Sequence, residues 1–327
     1  MRPTLRDVAR AAGVSVSTTS RVFREPDRFR PATRERVLAA AAELGYRPNR
    51  AAQALITGRT GSVAVLVPNL TNPIFPELVR AAQHRLHAHG SFTLVADTDE
   101  DPAQEASLIA MLAPDVDAVI TCSSLLDDDQ IPDLAAQVRL VFVGRDPGPS
   151  HPSVLADDPA GMREVVALLT GLGHRRITYL AGRAASWAAR RRLQAFTEAA
   201  AGAGVPVDVV DPNHPSFEGG RAAAEGLLRS GTLPTAVVAF NDLIALGLTA
   251  RLAEAGVAVP GEVSVVGYDD VEFARMASPG LTTLAYPRTA LGERAADLVG
   301  TAPADDPRRV FPLTLVERGS TGPARAG

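Results

Sequence analysis

Apolar residues recur at helical spacing through the first 45 positions, then gather from residue 62 onward into short continuous runs separated by amphipathic stretches. This pattern predicts a small helical head followed by an α/β body. In the head, Leu5, Val8, Ala9 and Ala12 share a helical face behind Thr4, a natural N-cap, with Asp7 three residues on to close a capping box. Gly13-Val14 ends that helix, Ser15 caps a second over Val16 to Phe23, and a third begins near Pro31. The outer positions of the second helix, Val16, Ser17, Thr18 and Arg21, are small or polar, as a helix lying in a major groove requires. Two helices joined by a tight glycine turn, with a third behind them, form a helix-turn-helix.

In the body, strand-like runs at Ser62 to Pro68, Phe92 to Asp97, Asp117 to Cys122 and Leu140 to Gly144 alternate with helical stretches near Pro76 to His89, Pro102 to Ala113 and Gln130 to Gln137. A second series has strands at Ile177 to Gly182, Val207 to Asp211, Ala236 to Phe240 and Val263 to Tyr268. Its helices fall near Pro159 to Leu172, Ala188 to Gly202, Gly219 to Arg229 and Asp242 to Gly256. Continuous apolar strands alternating with helices imply parallel sheets buried on both faces, so the body is expected to hold two doubly wound subdomains. Ligands of such sheets bind beyond the carboxyl ends of the strands, which places a site in the cleft between the two.

Charge is divided unequally. Residues 1–60 carry twelve arginines against five acids, a balance of +7, and the remainder carries −11 within an overall −4. A basic head on an acidic body suits phosphate contact at one end only. No lysine occurs anywhere, which excludes a P-loop lysine, a lysine Schiff base and a lysine general base. The single cysteine, Cys122, ends a strand-like run and reads as core. The N-terminus has no apolar signal core, and no apolar run approaches the ~20 residues of a membrane span, so a cytoplasmic protein without membrane contact is expected.

The head motifs are Thr4-Leu5-Arg6-Asp7-Val8-Ala9, Ala12-Gly13-Val14-Ser15, Thr18-Thr19-Ser20-Arg21-Val22, Thr33-Arg34-Glu35-Arg36-Val37 and Leu44-Gly45-Tyr46-Arg47-Pro48-Asn49. Downstream stand Gly173-His174-Arg175-Arg176-Ile177, Pro234-Thr235-Ala236, Asn241-Asp242-Leu243-Ile244-Ala245-Leu246-Gly247 and Val263-Ser264-Val265-Val266-Gly267-Tyr268-Asp269-Asp270. Through these residues nearly the whole chain resembles the lactose/galactose repressor (LacI/GalR) family of transcription regulators. The resemblance implies a helix-turn-helix domain over 1–46, a hinge helix and linker over 47–60, and a periplasmic-binding-protein-like effector and dimerisation core over 61–327. Within that core it implies a first subdomain of about 61–147 and 284–310, and a second of about 148–283 and 311–327.

By the same resemblance, operator DNA is contacted by Thr4, Ser15, Val16, Ser17, Thr18, Ser20 and Arg21 of the head. In the hinge Asn49, Arg50, Ala52 and Leu55 are implicated, with Leu55 as the wedge between base pairs. A small polar effector, sugar or nucleoside-like, is implied in the cleft among Asn72, Phe75, Asp157, Arg192, Asn241, Asp269 and Tyr286. A guanidinium fork, an amide and carboxylates suit vicinal hydroxyls or a nucleoside. A homodimer is expected, because the leucine heptad tail of tetrameric members has no counterpart in residues 318–327.

Some positions depart from the family pattern. Arg30 replaces a serine that caps the third helix, Thr19 replaces a core valine, Pro215 stands where sugar-binding members carry an aromatic platform, and Tyr286 replaces a glutamine. Familiar sugar specificities therefore do not transfer. His84, His87 and His89 share a helix but lack a completing carboxylate or thiol, so no metal is expected, and no cofactor is. Asp127-Asp128-Asp129 reads as a polar loop, and Gly171-Leu172-Gly173 lacks the third glycine of a dinucleotide fingerprint. Two other classes compete. An exported solute-binding protein lacks a leader, and a sugar- or nucleotide-processing enzyme lacks a nucleophile elbow or metal set, so no catalytic residue is assigned.

Overall fold

The computed structural model describes residues 3–46, 58–212, 214–300 and 308–325. The chain divides into two units, Met1–Gly61 and Ser62–Gly327. The hinge residues Asn49, Arg50, Ala52 and Leu55 lie outside the described residues.

Capping fixes the head. Helix α1 (Leu5–Ala12) opens on the expected box, in which the Thr4 backbone N–H donates to Asp7 Oδ2 at 2.9 Å while Asp7 N reaches back to Thr4 Oγ1. Gly13 ends it with φ 62°, a left-handed conformation that costs glycine little. Ser15 caps α2 (Val16–Arg24), its Oγ accepting from Thr18 N at 3.0 Å. Helix α3 (Pro31–Leu44) begins at Arg30 with no side-chain cap, and Pro31 at its first turn supplies the helical φ instead. Val8, Ala12, Val22, Val37, Ala40 and Ala41 make the core. Thr19 is fully buried there, and its hydroxyl donates to Ser15 O at 3.0 Å, so the polar substitution leaves no unsatisfied group.

The body holds two six-stranded sheets. The first runs in the order β11 (Arg308–Phe311), β5 (Ser153–Ala156), β4 (Arg139–Val143), β3 (Ala118–Cys122), β1 (Ser62–Val67), β2 (Phe92–Asp97), all parallel. The second runs β12 (Thr314–Val316), β10 (Thr282–Ala285), β9 (Ser264–Asp269), β8 (Ala236–Ala239), β6 (Ile177–Leu180), β7 (Val207–Val210), parallel except for the antiparallel edge β12. Val63 to Val67 are all buried, as a central strand with helices on both faces demands.

Three crossings join the lobes, between β5 and α7 (Asp158–Gly171), between β10 and α12 (Arg288–Val299), and between β11 and β12. They fall later than expected. Ser153–Ala156, expected in the second subdomain, extends the first sheet, whereas Leu284 and Ala285 belong to the second sheet and Phe311 to the first. These strands are three to four residues long, three of them mix in Ser or Thr and the fourth opens on two arginines, so hydrophobic runs did not mark them. Helix α12 returns to pack on α4 (Ile74–Ala88) at Gly292, where a Cβ would lie 2.5 Å from Leu78 O.

Gly267 performs a similar service in β9. Beside it the fully buried carboxylate of Asp242 accepts from Thr283 Oγ1 at 2.6 Å and Val271 N at 2.9 Å, tying α10 (Asp242–Glu254) to β10 and to the loop after β9. A Cβ at Gly267 would stand 2.1 Å from Asp242 Oδ1. Gly267→Ala should therefore destabilise the body by about 1–3 kcal/mol, the usual cost of overpacking. Urea unfolding checks this, and an unchanged midpoint would refute the role assigned to Gly267.

Candidate functional site

Two surfaces carry chemistry, one in each unit. On α2, the buried Thr19 and Val22 mark the inner side, and Val16, Ser17, Ser20 and Arg21 lie around the other. Val16 is 42% exposed, a large apolar fraction for a small domain and suited to a thymine methyl. Ser15 Oγ lies 2.9 Å from Ser17 Oγ and 2.8 Å from Thr18 Oγ1, so the cap also organises the hydroxyls of the first turn. Arg21 is exposed, with Cζ 5.7 Å from the Phe29 ring centroid, which steadies the guanidinium without consuming its donors. Thr4 is exposed, and its hydroxyl donates to Asp7 Oδ2 at 2.7 Å, holding the Asp7 carboxyl below the usual range.

The second surface is the cleft between the lobes, at the carboxyl ends of both sheets. It is lined by Asn72, Phe75, Arg192, Asn241, Asp269 and Tyr286, six of the seven residues anticipated. The seventh, Asp157, is not among them. Its Oδ1 accepts from Ala160 N at 3.1 Å as the cap of α7, and its side chain borders a separate groove with Trp187 and Arg191. The neighbouring Asp158, one residue further along, is the carboxylate that turns inward. It is buried and accepts a 2.7 Å hydrogen bond from Tyr268 Oη.

Arg192, on α8 (Trp187–Gly202), organises the floor of the cleft. Its Nη1 donates to Phe240 O at 3.0 Å, and its Cζ lies 3.5 Å from the Tyr268 ring centroid and 4.7 Å from that of Phe240. Asp158 and Asp269 stand 3.8 and 3.7 Å from its nitrogens, close enough to neutralise it but beyond hydrogen-bond reach. Burial opposes the guanidinium charge, yet Tyr268, Asp269 and Asp158 outweigh it and hold Arg192 protonated. Burial pushes Asp269 up to about 7 against the pull of Arg192 and Arg288.

Asp269 also sits at φ 113°, a backbone strain of about 1–3 kcal/mol of the kind that accumulates at binding sites. Asn241 is buried and caps α10 through Oδ1 to Ile244 N at 2.9 Å, while its Nδ2 donates to Pro215 O at 3.2 Å. Its capping and lining roles coexist. Asn72 Oδ1 accepts from Ile74 N at 3.3 Å beside the half-buried Phe75, and Tyr286 is buried against Tyr268 with ring centroids 6.1 Å apart.

Sequence reasoning missed Asn69, Glu100, Ser123, Arg183, Ser186 and Ser216, which also line the cleft. Ser186 and Ser216 cap α8 and α9 (Phe217–Arg229), so a search for serines before helices at strand ends would have found them. Of the polar loop at Asp127-Asp128-Asp129, Asp128 accepts from the buried Arg145 at 2.5 Å. Among the described residues no His, Cys, Asp and Glu cluster is arranged for a metal, and no helix is long and apolar enough to cross a membrane. The cleft thus offers aromatic walls, amide and hydroxyl groups, and paired charges, a set suited to holding a small polar molecule.

Comparison with known proteins places this architecture. Residues 4–49 match the family described as bacterial regulatory proteins, lacI family, and residues 166–321 match a periplasmic binding protein-like domain. The HTH-type transcriptional regulator DegA of Bacillus subtilis is 32% identical over 99% of this chain and 99% of its own length. A crystal structure of the lac repressor dimer bound to operator and the anti-inducer ONPF superposes with a TM-score of 0.87 at 30% identity, covering 98% of this chain and 100% of that one. A complex of the transcriptional regulator CelR with cellobiose superposes at 0.70 with 33% identity, covering 98% and 100%.

The raised Asp269 has a consequence for stability. The folded protein keeps that proton up to about pH 7, whereas the unfolded chain releases it near pH 4. Between those limits folding takes up a proton, so stability falls as pH rises and levels off above about 7. Asp158 and Asp242, both raised by burial, act in the same direction. Burial lowers His151 and His174, which act in the opposite direction, so across about pH 5 to 8 the melting temperature of wild type should fall relative to that of Asp269→Asn, which cannot titrate at that position. Thermal unfolding across that range tests this; an identical slope in the variant would sink it.

Proposed function

The chain belongs to the lacI family of bacterial regulatory proteins and is a DNA-binding transcriptional regulator, and from that premise we propose that it is a repressor acting as a homodimer on a pseudo-palindromic operator, controlled by a small polar effector in the cleft. The observation that carries the operator reading is the α2 surface. A serine-capped helix presents Val16, Ser17, Ser20 and Arg21 opposite its buried side, on a unit with seven excess positive charges through residue 60. Two such helices related by a dimer twofold read two half-sites. The neighbours support the assembly and the ligand class, since the lac repressor structure is a dimer on operator and CelR holds cellobiose.

Val16 and Ser17 are short, so they read a methyl or one base edge, and Arg21 contacts phosphate or guanine. Exchanging Val16 and Ser17 should change which operator is selected from a random duplex pool while leaving the salt dependence of affinity nearly intact. An unchanged selected sequence would contradict the assignment.

Leu55, outside the described residues, is assigned the minor-groove wedge by family resemblance. Occupancy of the cleft then acts by altering how readily the two hinges order together on DNA, with a coupling of ~1–3 kcal/mol. Leu55→Ala should weaken operator binding more than random-duplex binding, because the arginine contacts to phosphate survive it. Affinities for both duplexes, with and without effector, measure this; equal losses would make Leu55 a packing residue only.

A further inference from the structure

Among the described residues four charged side chains line the cleft, and one pair of them spans it. Glu100 follows β2 in the first lobe and Arg183 follows β6 in the second, and Arg183 Nη1 donates to Glu100 Oε2 at 3.1 Å and to Glu100 O at 3.2 Å. Asn69 Nδ2 approaches the other carboxylate oxygen at 3.5 Å. The backbone that delivers Glu100 is strained, with Asp99 and Glu100 consecutively left-handed at φ 51° and 54°. Asp97 holds the turn by accepting from Leu70 N and Asp99 N, each at 2.8 Å, and Glu100 N donates to Pro68 O at 2.9 Å. Non-glycine residues persist in this conformation only where surrounding contacts over-determine it, a situation that recurs at ligand clamps. The other two charges, Arg192 and Asp269, face each other within the second lobe at 3.7 Å. Two positive and two negative groups thus line the cleft, each already faced by its opposite.

We propose that the Glu100–Arg183 pair makes the cleft a selector for uncharged polar ligands, rejecting their phosphorylated forms, with Glu100 as the specificity-determining residue. This rests on the reading of the cleft as an effector site. An incoming anion must either displace the Glu100 carboxylate from Arg183, stranding it in a half-desolvated site, or remain without a counter-charge itself. A hydroxyl meets neither penalty, because it donates to the carboxylate or accepts from the guanidinium while the pair stays intact. Removal of the Glu100 charge leaves Arg183 unopposed and turns it into an anion receptor.

The test is calorimetric titration of the full chain at fixed ionic strength and about pH 8, where Asp269 is ionised. The probes are inorganic phosphate and two matched pairs, glucose with glucose 6-phosphate and adenosine with adenosine monophosphate. Wild type, Glu100→Gln, Glu100→Ala and the double variant Glu100→Gln/Arg183→Gln are compared. Both single variants should bind phosphate at least about tenfold more tightly than wild type or the double variant do. For any matched pair whose neutral member binds wild type, the preference should move at least about tenfold toward the phosphorylated member. Phosphate affinity in the single variants no greater than in the double variant overturns the proposal, and so does a wild type that prefers a phosphorylated member. If no neutral probe binds while phosphate behaves as expected, the exclusion of anions by Glu100 stands, and glucose and adenosine are removed as effectors under the reading it rests on.

Discussion

A single buried cation, Arg192, sets the terms for the body of this protein. A guanidinium taken out of water is tolerated only if opposite charge and hydrogen-bond acceptors are built around it. The chain meets that demand from five directions, with Asp158 at the start of α7, Phe240 O after β8, Tyr268 and Asp269 at the end of β9, and Tyr286 beyond β10. Each of these positions closes a strand or opens a helix. The ends of the second sheet are therefore drawn together around one charge, at the floor of the cleft. Removing the cation would leave two buried carboxyl groups without the charge that both of them face, so Arg192 is as much a keystone of the lobe as a lining residue.

The same logic explains why the cleft and the head differ in character. In the head most polar groups are at the surface, and those used in folding are local, spent on caps such as Thr4 with Asp7 and Ser15 with Thr18, or, for the buried Thr19, on the carbonyl four residues back. In the cleft the polar groups are drawn from distant parts of the chain and satisfy one another across it. A site of the first kind has free donors and suits a polyanion with many acceptors. A site of the second kind is electrically self-contained, which suits a small ligand recognised by shape and by a few hydrogen bonds.

The head was legible in the sequence because its signals are local. Capping residues, the turn glycine and the helical spacing all lie within a few residues of what they determine, and the departures at Thr19 and Arg30 had consequences that followed from capping and burial alone. The two parallel sheets were legible as continuous apolar runs. What escaped was non-local or short. Strands β5, β10, β11 and β12 take their identity from partners far along the chain, with β11 pairing to β5 across more than 150 positions, and no hydrophobic period reports that. The exchange of Asp157 for Asp158 has a related cause. One carboxylate of an adjacent pair caps the helix and the other turns into the protein, and composition does not distinguish them. Glu100 lay in an acidic loop whose charge reads as solvation until the backbone shows it turned against Arg183.

The threefold crossing between lobes also governs the order in which the chain can become a protein. During synthesis the first sheet acquires five of its strands by residue 156, yet its edge strand at Arg308–Phe311 and the helix Arg288–Val299, which packs on α4 through Gly292, emerge only after the central strands of the second sheet. Neither lobe can be finished before the other is nearly complete. A nascent first lobe must wait on the ribosome with an apolar face and a strand edge open for more than a hundred residues of elongation. At the usual ~5–20 residues per second that is about 7–30 seconds of exposure, during which the open face is available to chaperones or to other chains.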